Sequence, residues 1–323
     1  MFDKTFGIEI EFTGITREKA ARVAAEFLQS EAIHTGGYYD TWSVTQPVEQ
    51  SAEVPHNSNT RASKVWKFVN DASIIGQRKI RGRIVSEGEK YRVELVSPIL
   101  MYHEDMETLQ GLVRCLRKAG AFAGSGTRCG IHVHVSGNDH TPRSIRNFVN
   151  IIASKNDLLY KALQIGEERA SYCRKIDARL VERMNRRRPK TMRAIEELWY
   201  MDYGGYGYRN QHYHDSRYHF LNLHSFFNGN GTIELRGFNS GGGSRGDSLH
   251  AGAIRAYVVL ALALNHQALT QKSASPRKVQ EENEKFAMRT YLNRLGLIGD
   301  EFKSCREHLC KHLSGNGAWR YRT

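Results

Sequence analysis

The 323-residue sequence predicts an α+β protein. Two observations carry that reading. Four segments alternate apolar and ionisable residues with period two, the pattern of strands with two unlike faces. Between them run segments whose apolar residues recur at helical spacing. The length suffices to bury one large core or two ordinary ones.

Phe6–Phe12 is the first strand: Phe6, Ile8, Ile10 and Phe12 share one face, Glu9 and Glu11 the other. Thr16 is placed to cap a helix over Arg17–Ser30, with Ala20, Val23, Ala24, Phe27 and Leu28 as its apolar stripe. Gly36–Ser63 is polar and predicts loops or short strands. Trp66–Ile75 and Lys79–Ser86 read as strands, followed by Tyr91–Ser97, which Pro98 ends. A helix is expected from about Glu104 to Lys118, with Met106, Leu109, Val113 and Leu116 on one stripe. Gly130–Val135 then alternates again, Ile131, Val133 and Val135 against His132 and His134.

Pro142 opens a long helical region to about Leu163, and an Arg-dense segment covers Glu167–Arg193. A Gly/Tyr/His-rich stretch, Tyr200–His219, leads into Phe220–Phe227. Thr232–Phe238 alternates with Glu234 and Arg236 on one face, and Asn239–Asp247 is a Gly/Ser loop. Leu249–Leu269 reads as an apolar helix packed under the sheet. The tail is mostly charged helix, with Phe286, Tyr291, Leu292, Leu295, Phe302 and Leu309 as core candidates.

Composition removes several classes. The net charge of +13 favours acidic partners without choosing among nucleotides, nucleic acid, anionic lipid and acidic metabolites. The longest apolar run, Ala256–Leu264, is too short to span a membrane, and the N-terminal residues carry no apolar signal core. The 5 cysteines include no CxxC pair, which argues against a disulfide framework or a cysteine zinc site. These features predict a soluble, reduced, cytoplasmic protein.

The ionisable strand faces are the chemical signal. A single such pair suits the solvated face of an antiparallel sheet. Outward residues that are repeatedly Glu and His favour a site instead. Gathered together, Glu9, Glu11, Glu94 and Glu234 would repel, and cations relieve that. Carboxylates with an imidazole suit Mg²⁺ or Mn²⁺, and two such ions clamp the phosphates of ATP. Arg236 would stand beside Glu234 and stabilise a transferring phosphoryl group.

Six segments in order resemble the carboxylate–amine ligases of the glutamine synthetase and glutamate–cysteine ligase superfamily, and within it the amidoligase family. They are Phe6–Phe12 (Phe-Gly-x-Glu-x-Glu-Phe), Trp66–Ile75 (Trp…Asp-x-Ser-Ile), Glu94–Pro98, Gly130–Val135 (Gly-x-His-Val-His-Val), Arg217–Asn222 and Thr232–Phe238 (Thr-Ile-Glu-x-Arg-x-Phe). The resemblance implies a glutamine-synthetase-like catalytic fold, an antiparallel half-barrel sheet backed by helices, over residues 1–270. Residues 271–323 would be a helical extension packed on it.

The resemblance also implies roles. Glu9, Glu11, Glu94, His132 and Glu234 would hold the metal; His132, His134 and Arg236 would meet ATP; Glu234 and Arg236 would be catalytic. Arg217 and Asn222 are candidates for the carboxylate substrate or the nucleotide, and Asp71 and Ser73 for the amine side. Ala72 stands where the family often has Gly. The implied reaction joins a small or peptide-like carboxylate to an amine through an acyl phosphate, at the expense of ATP. The chain has no P-loop motif.

Two other readings are carried beside it. One is a phosphotransferase that lacks an amine acceptor. The other is a protein that binds nucleic acid or an acidic polymer through Arg169–Arg193, with Tyr172, Trp199, Tyr200, Tyr203, Tyr206 and Tyr208 free to stack on bases. His212, His214, His219 and His224 crowd one stretch without an H-E-x-x-H motif, so surface or substrate-loop histidines are expected there.

Overall fold

The alternation of Phe6, Ile8, Ile10 and Phe12 becomes strand β1 (Thr5–Phe12), with all four side chains buried. The structure is a computed structural model that describes residues 1–47, 63–124, 126–203, 209–241, 248–278 and 282–319. The remaining strands are β2 (Ala32–Gly36), β3 (Thr41–Gln46), β4 (Lys64–Val69), β5 (Gln77–Ile80), β6 (Arg83–Ser86), β7 (Val93–Val96), β8 (Leu100–Met101), β9 (Gly130–Ser136), β10 (Leu221–Asn222) and β11 (Thr232–Asn239). β1, β7, β4, β3 and β2 are neighbours in that order, with β8 also pairing β1; β10, β11 and β9 are neighbours in that order; β5 and β6 form a sheet of two. The β1–β7, β7–β4, β4–β3, β3–β2 and β10–β11 pairings are antiparallel. With ten helices among the described residues, the fold is α+β.

Chain contacts divide the protein into two compact units. One comprises Gly7–Ile131 and Ser240–Ala251; the other comprises Met1–Phe6, His132–Asn239 and Gly252–Thr323. In the first, helix α1 (Arg17–Leu28) starts at Thr16, whose side chain accepts from the Lys19 amide, and ends at Gln29 in the left-handed region. Its Ala20, Ala21, Ala24, Ala25 and Leu28 are buried, and it packs on β2, β3, β4 and helix α2 (Tyr102–Lys118).

Two strand expectations change here. The strand over Trp66–Ile75 ends at Val69, because Asp71 turns the chain: its carboxylate accepts from the Ser73 amide at 2.7 Å. Lys79–Ser86 is a hairpin rather than one strand. Arg81 and Gly82 both have positive φ, 49° and 80°, which fits the tight turn that matches strand twist. The hairpin register pairs Lys79 with Ile84 and Ile80 with Arg83.

In the second unit, α3 (Pro142–Ala162) begins with a Thr141–Ser144 capping box and Pro in the first turn. The Arg-dense segment is three helices, α4 (Glu167–Ala170), α5 (Ala178–Arg187) and α6 (Met192–Tyr200), with α5 packed on α3 and on α6. Helix α7 (His224–Asn228) precedes β11. Helix α8 (Ala251–Thr270) is apolar on all sides and buried through Val258–Leu264; its Tyr257 stacks on Phe238 of β11 at 4.9 Å. Gly237 lets the Phe220 ring lie on β11, since a Cβ there would stand 2.0 Å from it. The tail forms α9 (Glu284–Arg294) and α10 (Lys303–Cys310), in contact with each other. Tyr291, Leu292, Leu295, Phe302 and Leu309 are buried; Phe286 is half-buried.

Most of the predicted Asn239–Asp247 loop, together with Tyr206 and Tyr208, lies outside the described residues. Among the described residues no helix is long and apolar enough to cross a membrane. All five cysteines are free thiols.

Candidate active site

In the first unit, register builds a carboxylate cluster. Glu11 of β1 stands directly opposite Glu94 of β7. Opposed residues of an antiparallel pair share a face, so the two side chains meet. Glu9 lies two residues earlier on that face, opposite Val96. Val69, the last residue of β4, is also opposite Glu94, and the turn that follows delivers Asp71. One ligand oxygen each from Glu11, Asp71 and Glu94 lie within 4.8 Å of one another. Glu11 is buried and accepts a hydrogen bond from the Gly130 amide at 2.6 Å. Three hard oxygen donors at this spacing suit Mg²⁺ or Mn²⁺. Ser73 is half-buried beside Asp71, its amide spent on that turn.

Asp71, which the resemblance puts near the amine, also brings a carboxylate oxygen to this group. Arg17 also has a role that sequence reasoning missed. Only 2% exposed, it donates to Asp40, to the Asn70 side chain, to the Glu89 carbonyl and to the Arg92 carbonyl. It thereby fastens the residue before Asp71 and the strand entry before Glu94. An arginine opening a helix reads as solvent-exposed, and no local pattern marks it otherwise.

In the second unit, Glu234 and Arg236 of β11 form a buried ion pair, Arg236 Nη1 donating to Glu234 Oε1 at 2.5 Å. They are 3% and 6% exposed. The expected accessible polar face of this strand is thus corrected: β11 is buried on both faces from Ile233 to Phe238. His132 of β9 brings Nδ1 to 3.5 Å from Glu234 Oε1. Asn222 of β10 stands opposite Glu234 and donates to its Oε2 at 2.6 Å. Its side-chain carbonyl oxygen accepts from the His224 amide, so Asn222 ties Glu234 to the start of α7. His134 Nδ1 is 3.0 Å from the Thr232 hydroxyl.

Arg217 lies over the rings of Tyr213 and Tyr218 and donates to the His212 carbonyl at 3.2 Å. Tyr218 also lies under Arg236, 6.0 Å from ring centre to guanidinium carbon. One ring thus serves both candidate arginines, a connection that sequence spacing did not reveal. Arg169 donates to the carbonyls of Phe238 and Arg236 and holds the β11 backbone.

The clustered histidines are mostly interior. His214, His219 and His224 are buried, while His212 is exposed. The Gln211 carbonyl can only accept, so His224 Nε2 carries a proton, and Nδ1 accepts from the Tyr200 hydroxyl at 2.6 Å. The Ser216 carbonyl likewise assigns a proton to His219 Nδ1. Burial pushes the His214 and His219 pKa values below the ordinary value, and burial with the neighbouring His214 charge pushes His224 down to about 4. Trp199 and Tyr200 are buried as well, which removes them as platforms for bases.

Residues 3–265 match the sequence profile of the family described as "Putative amidoligase enzyme", and the chain belongs to that family. Among solved structures, a bifunctional glutathione synthetase from Pasteurella multocida is similar over 96% of this chain and 47% of its own, at 10% identity and a TM-score of 0.40. This chain therefore spans about half the length of that protein. No curated protein matches the sequence.

Proposed function

We propose that this protein is an ATP- and Mg²⁺-dependent ligase that joins a carboxylate to an amine. The observation that carries the reading is the convergence of Glu11, Asp71 and Glu94 oxygens within 4.8 Å in a member of the amidoligase family. Their donor chemistry fits a hard divalent cation. Glu9, His132 and Glu234 are assigned the rest of the metal-holding role, and His134 and Arg236 the nucleotide phosphates. A bound divalent ion supplies charge neutralisation for phosphoryl transfer.

The side chains perform the remaining tasks. Arg236, fixed by Glu234 and by the Tyr218 ring, offers a guanidinium to phosphoryl oxygens. Arg217, stacked on Tyr213 and Tyr218, is suited to the substrate carboxylate. Asp71 and Ser73 lie together on the turn assigned to the amine side. The substrate carboxylate takes the γ-phosphoryl group, giving an acyl phosphate and ADP; the amine then forms the C–N bond as phosphate leaves and a proton is lost to solvent. The test is ADP release in the presence of mixed acids and amines, with mass spectrometry of the product. An amide with ADP and phosphate is expected. ADP with a stable phosphorylated acid would favour the phosphotransferase, and no ADP release with any mixture would overturn the reading.

A further inference from the structure

We propose that the β5–β6 hairpin is a docking element for an extended acidic polypeptide. Its chemical consequence, a peptide-borne carboxylate as substrate, rests on the ligase reading; its binding role rests on the hairpin alone.

The hairpin grows directly from the carboxylate cluster. Its first strand begins after the Asp71–Ser73 turn, with buried Ile74 between. Its base is clamped to Thr13, two residues beyond Glu11: Thr13 Oγ1 donates to the Gln77 carbonyl at 2.8 Å and accepts from the Gln77 amide at 2.7 Å. The Gly14 amide adds a bond to the same carbonyl, and the Glu87 amide bonds the Gly76 carbonyl. A secured base thus carries a ribbon whose residues from Arg78 to Ile84 are all exposed.

The ribbon has an unusual pairing of properties. Between Gln77 and Ser86 it carries Arg78, Lys79, Arg81 and Arg83, and no acidic residue. Arg78 meets Glu87 at 2.8 Å and Lys79 lies over Phe122, whereas Arg81 and Arg83 have no acidic partner among the described residues. Lone edge strands are commonly blunted with charge, which accounts for the cations. It does not account for Ile80 and Ile84, which are 42% and 52% exposed. Cations interleaved with isoleucines complement a chain of acidic and apolar residues. A two-stranded ribbon also offers main-chain donors and acceptors to an added strand. Nucleic acid is the poorer fit, since the ribbon has no aromatic side chain to stack on bases.

The test uses a fluorescein-labelled alternating Glu-Val peptide of about a dozen residues, long enough to add a strand, followed by anisotropy with the full chain. Arg81→Asn with Arg83→Glu removes one positive charge and reverses another while keeping at position 81 a residue that tolerates positive φ. Ile80→Thr with Ile84→Thr removes the apolar surface while keeping strand propensity. Both pairs of changes are expected to weaken the peptide, the charge pair by about tenfold. Mn²⁺ binding should be unchanged in both variants, because neither touches the carboxylate cluster. Wild-type protein that ignores the peptide, or variants that bind it as well as wild type, would overturn the proposal. So would hairpin-dependent binding confined to duplex DNA or to phosphatidylserine vesicles. A peptide that binds as expected to a protein with no Mn²⁺ affinity and no ADP release would sink the ligase reading and leave the docking role standing.

Discussion

The carboxylate cluster and the Glu234–Arg236 pair solve opposite electrostatic problems. Glu11, Asp71 and Glu94 bring one carboxylate oxygen each within 4.8 Å of one another, a grouping whose charge a divalent cation would neutralise. Glu234 is matched by a guanidinium, an amide donor and an imidazole, all from its own unit. On the proposed reading, the first arrangement takes up a cation. The second already holds a counter-charge within hydrogen-bond reach. The same substitution type, loss of one charge, should therefore have opposite signs in the two places.

The largest effect is expected at Arg236. Its removal leaves Glu234 as a buried carboxylate without its main counter-charge, and Arg236→Ala should cost roughly 3–5 kcal/mol in a urea unfolding experiment. Reading Glu234 and Arg236 as an accessible strand face predicts an intact fold for this variant; their burial reverses that. Glu234→Gln combined with Arg236→Met should recover much of the loss, since it removes both charges. An Arg236→Ala protein as stable as wild type would break the contrast.

Acid should act on the second unit next. His224 titrates near 4 when folded and near 6.5 when unfolded. The unfolded state therefore binds the proton first as pH falls, so the contribution is fully present above about 6.5 and is lost progressively down to about 4. The difference corresponds to about 3 kcal/mol, with His214 and His219 adding in the same direction. Stability measured across this window should fall steeply in wild type and less steeply in His224→Gln. Equal slopes would mean that the Tyr200–His224–Gln211 chain does not govern acid lability.

At the cluster the sign reverses. Glu11→Gln keeps an acceptor for the Gly130 amide but removes one of three converging charges. Without metal, this variant should be at least as stable as wild type. With Mn²⁺ it should gain less, because loss of a ligand weakens metal affinity by at least about tenfold. Calorimetric titration and melting with and without Mn²⁺ separate the two effects. A metal-free loss of stability together with wild-type Mn²⁺ affinity would remove the cluster from the metal-holding role.

Period-two patterns made much of this legible in the sequence. β1, β9 and β11 stand where Phe6–Phe12, Gly130–Val135 and Thr232–Phe238 predicted, because alternation reports a strand directly. Register is a tertiary property, so nothing local reveals that Glu11 faces Glu94 or Asn222 faces Glu234. Alternation also says which residues share a face, not what covers it; Glu234 and Arg236 pointed together as expected, into the interior. The missed hairpin had its signal in Arg81-Gly82, a turn dipeptide inside an otherwise β-prone run.

The smallest effect belongs to the most conspicuous charge. Within the Arg-dense segment the basic residues divide. Arg169 and Arg174 bond backbone carbonyls, Lys175 meets Asp157, and Arg183 meets Asp202. Arg186, Arg187 and Arg188 are exposed at the end of α5, where among the described residues only Arg186 has a nearby acid, Glu182 at 3.6 Å. Basic residues in the last turn suit the helix dipole but are solvated, so replacing all three with Ala should change stability by less than about 1 kcal/mol. If the segment grips an acidic polymer, the triple variant should instead lose salt-sensitive affinity for duplex DNA, since each released phosphate contact flattens the salt dependence. A small-substrate ligase predicts unchanged ADP release at every ionic strength tested. Activity that collapses with salt and with this triple substitution, while Mn²⁺ affinity stays intact, would move substrate recognition from the stacked Arg217 to the exposed end of α5.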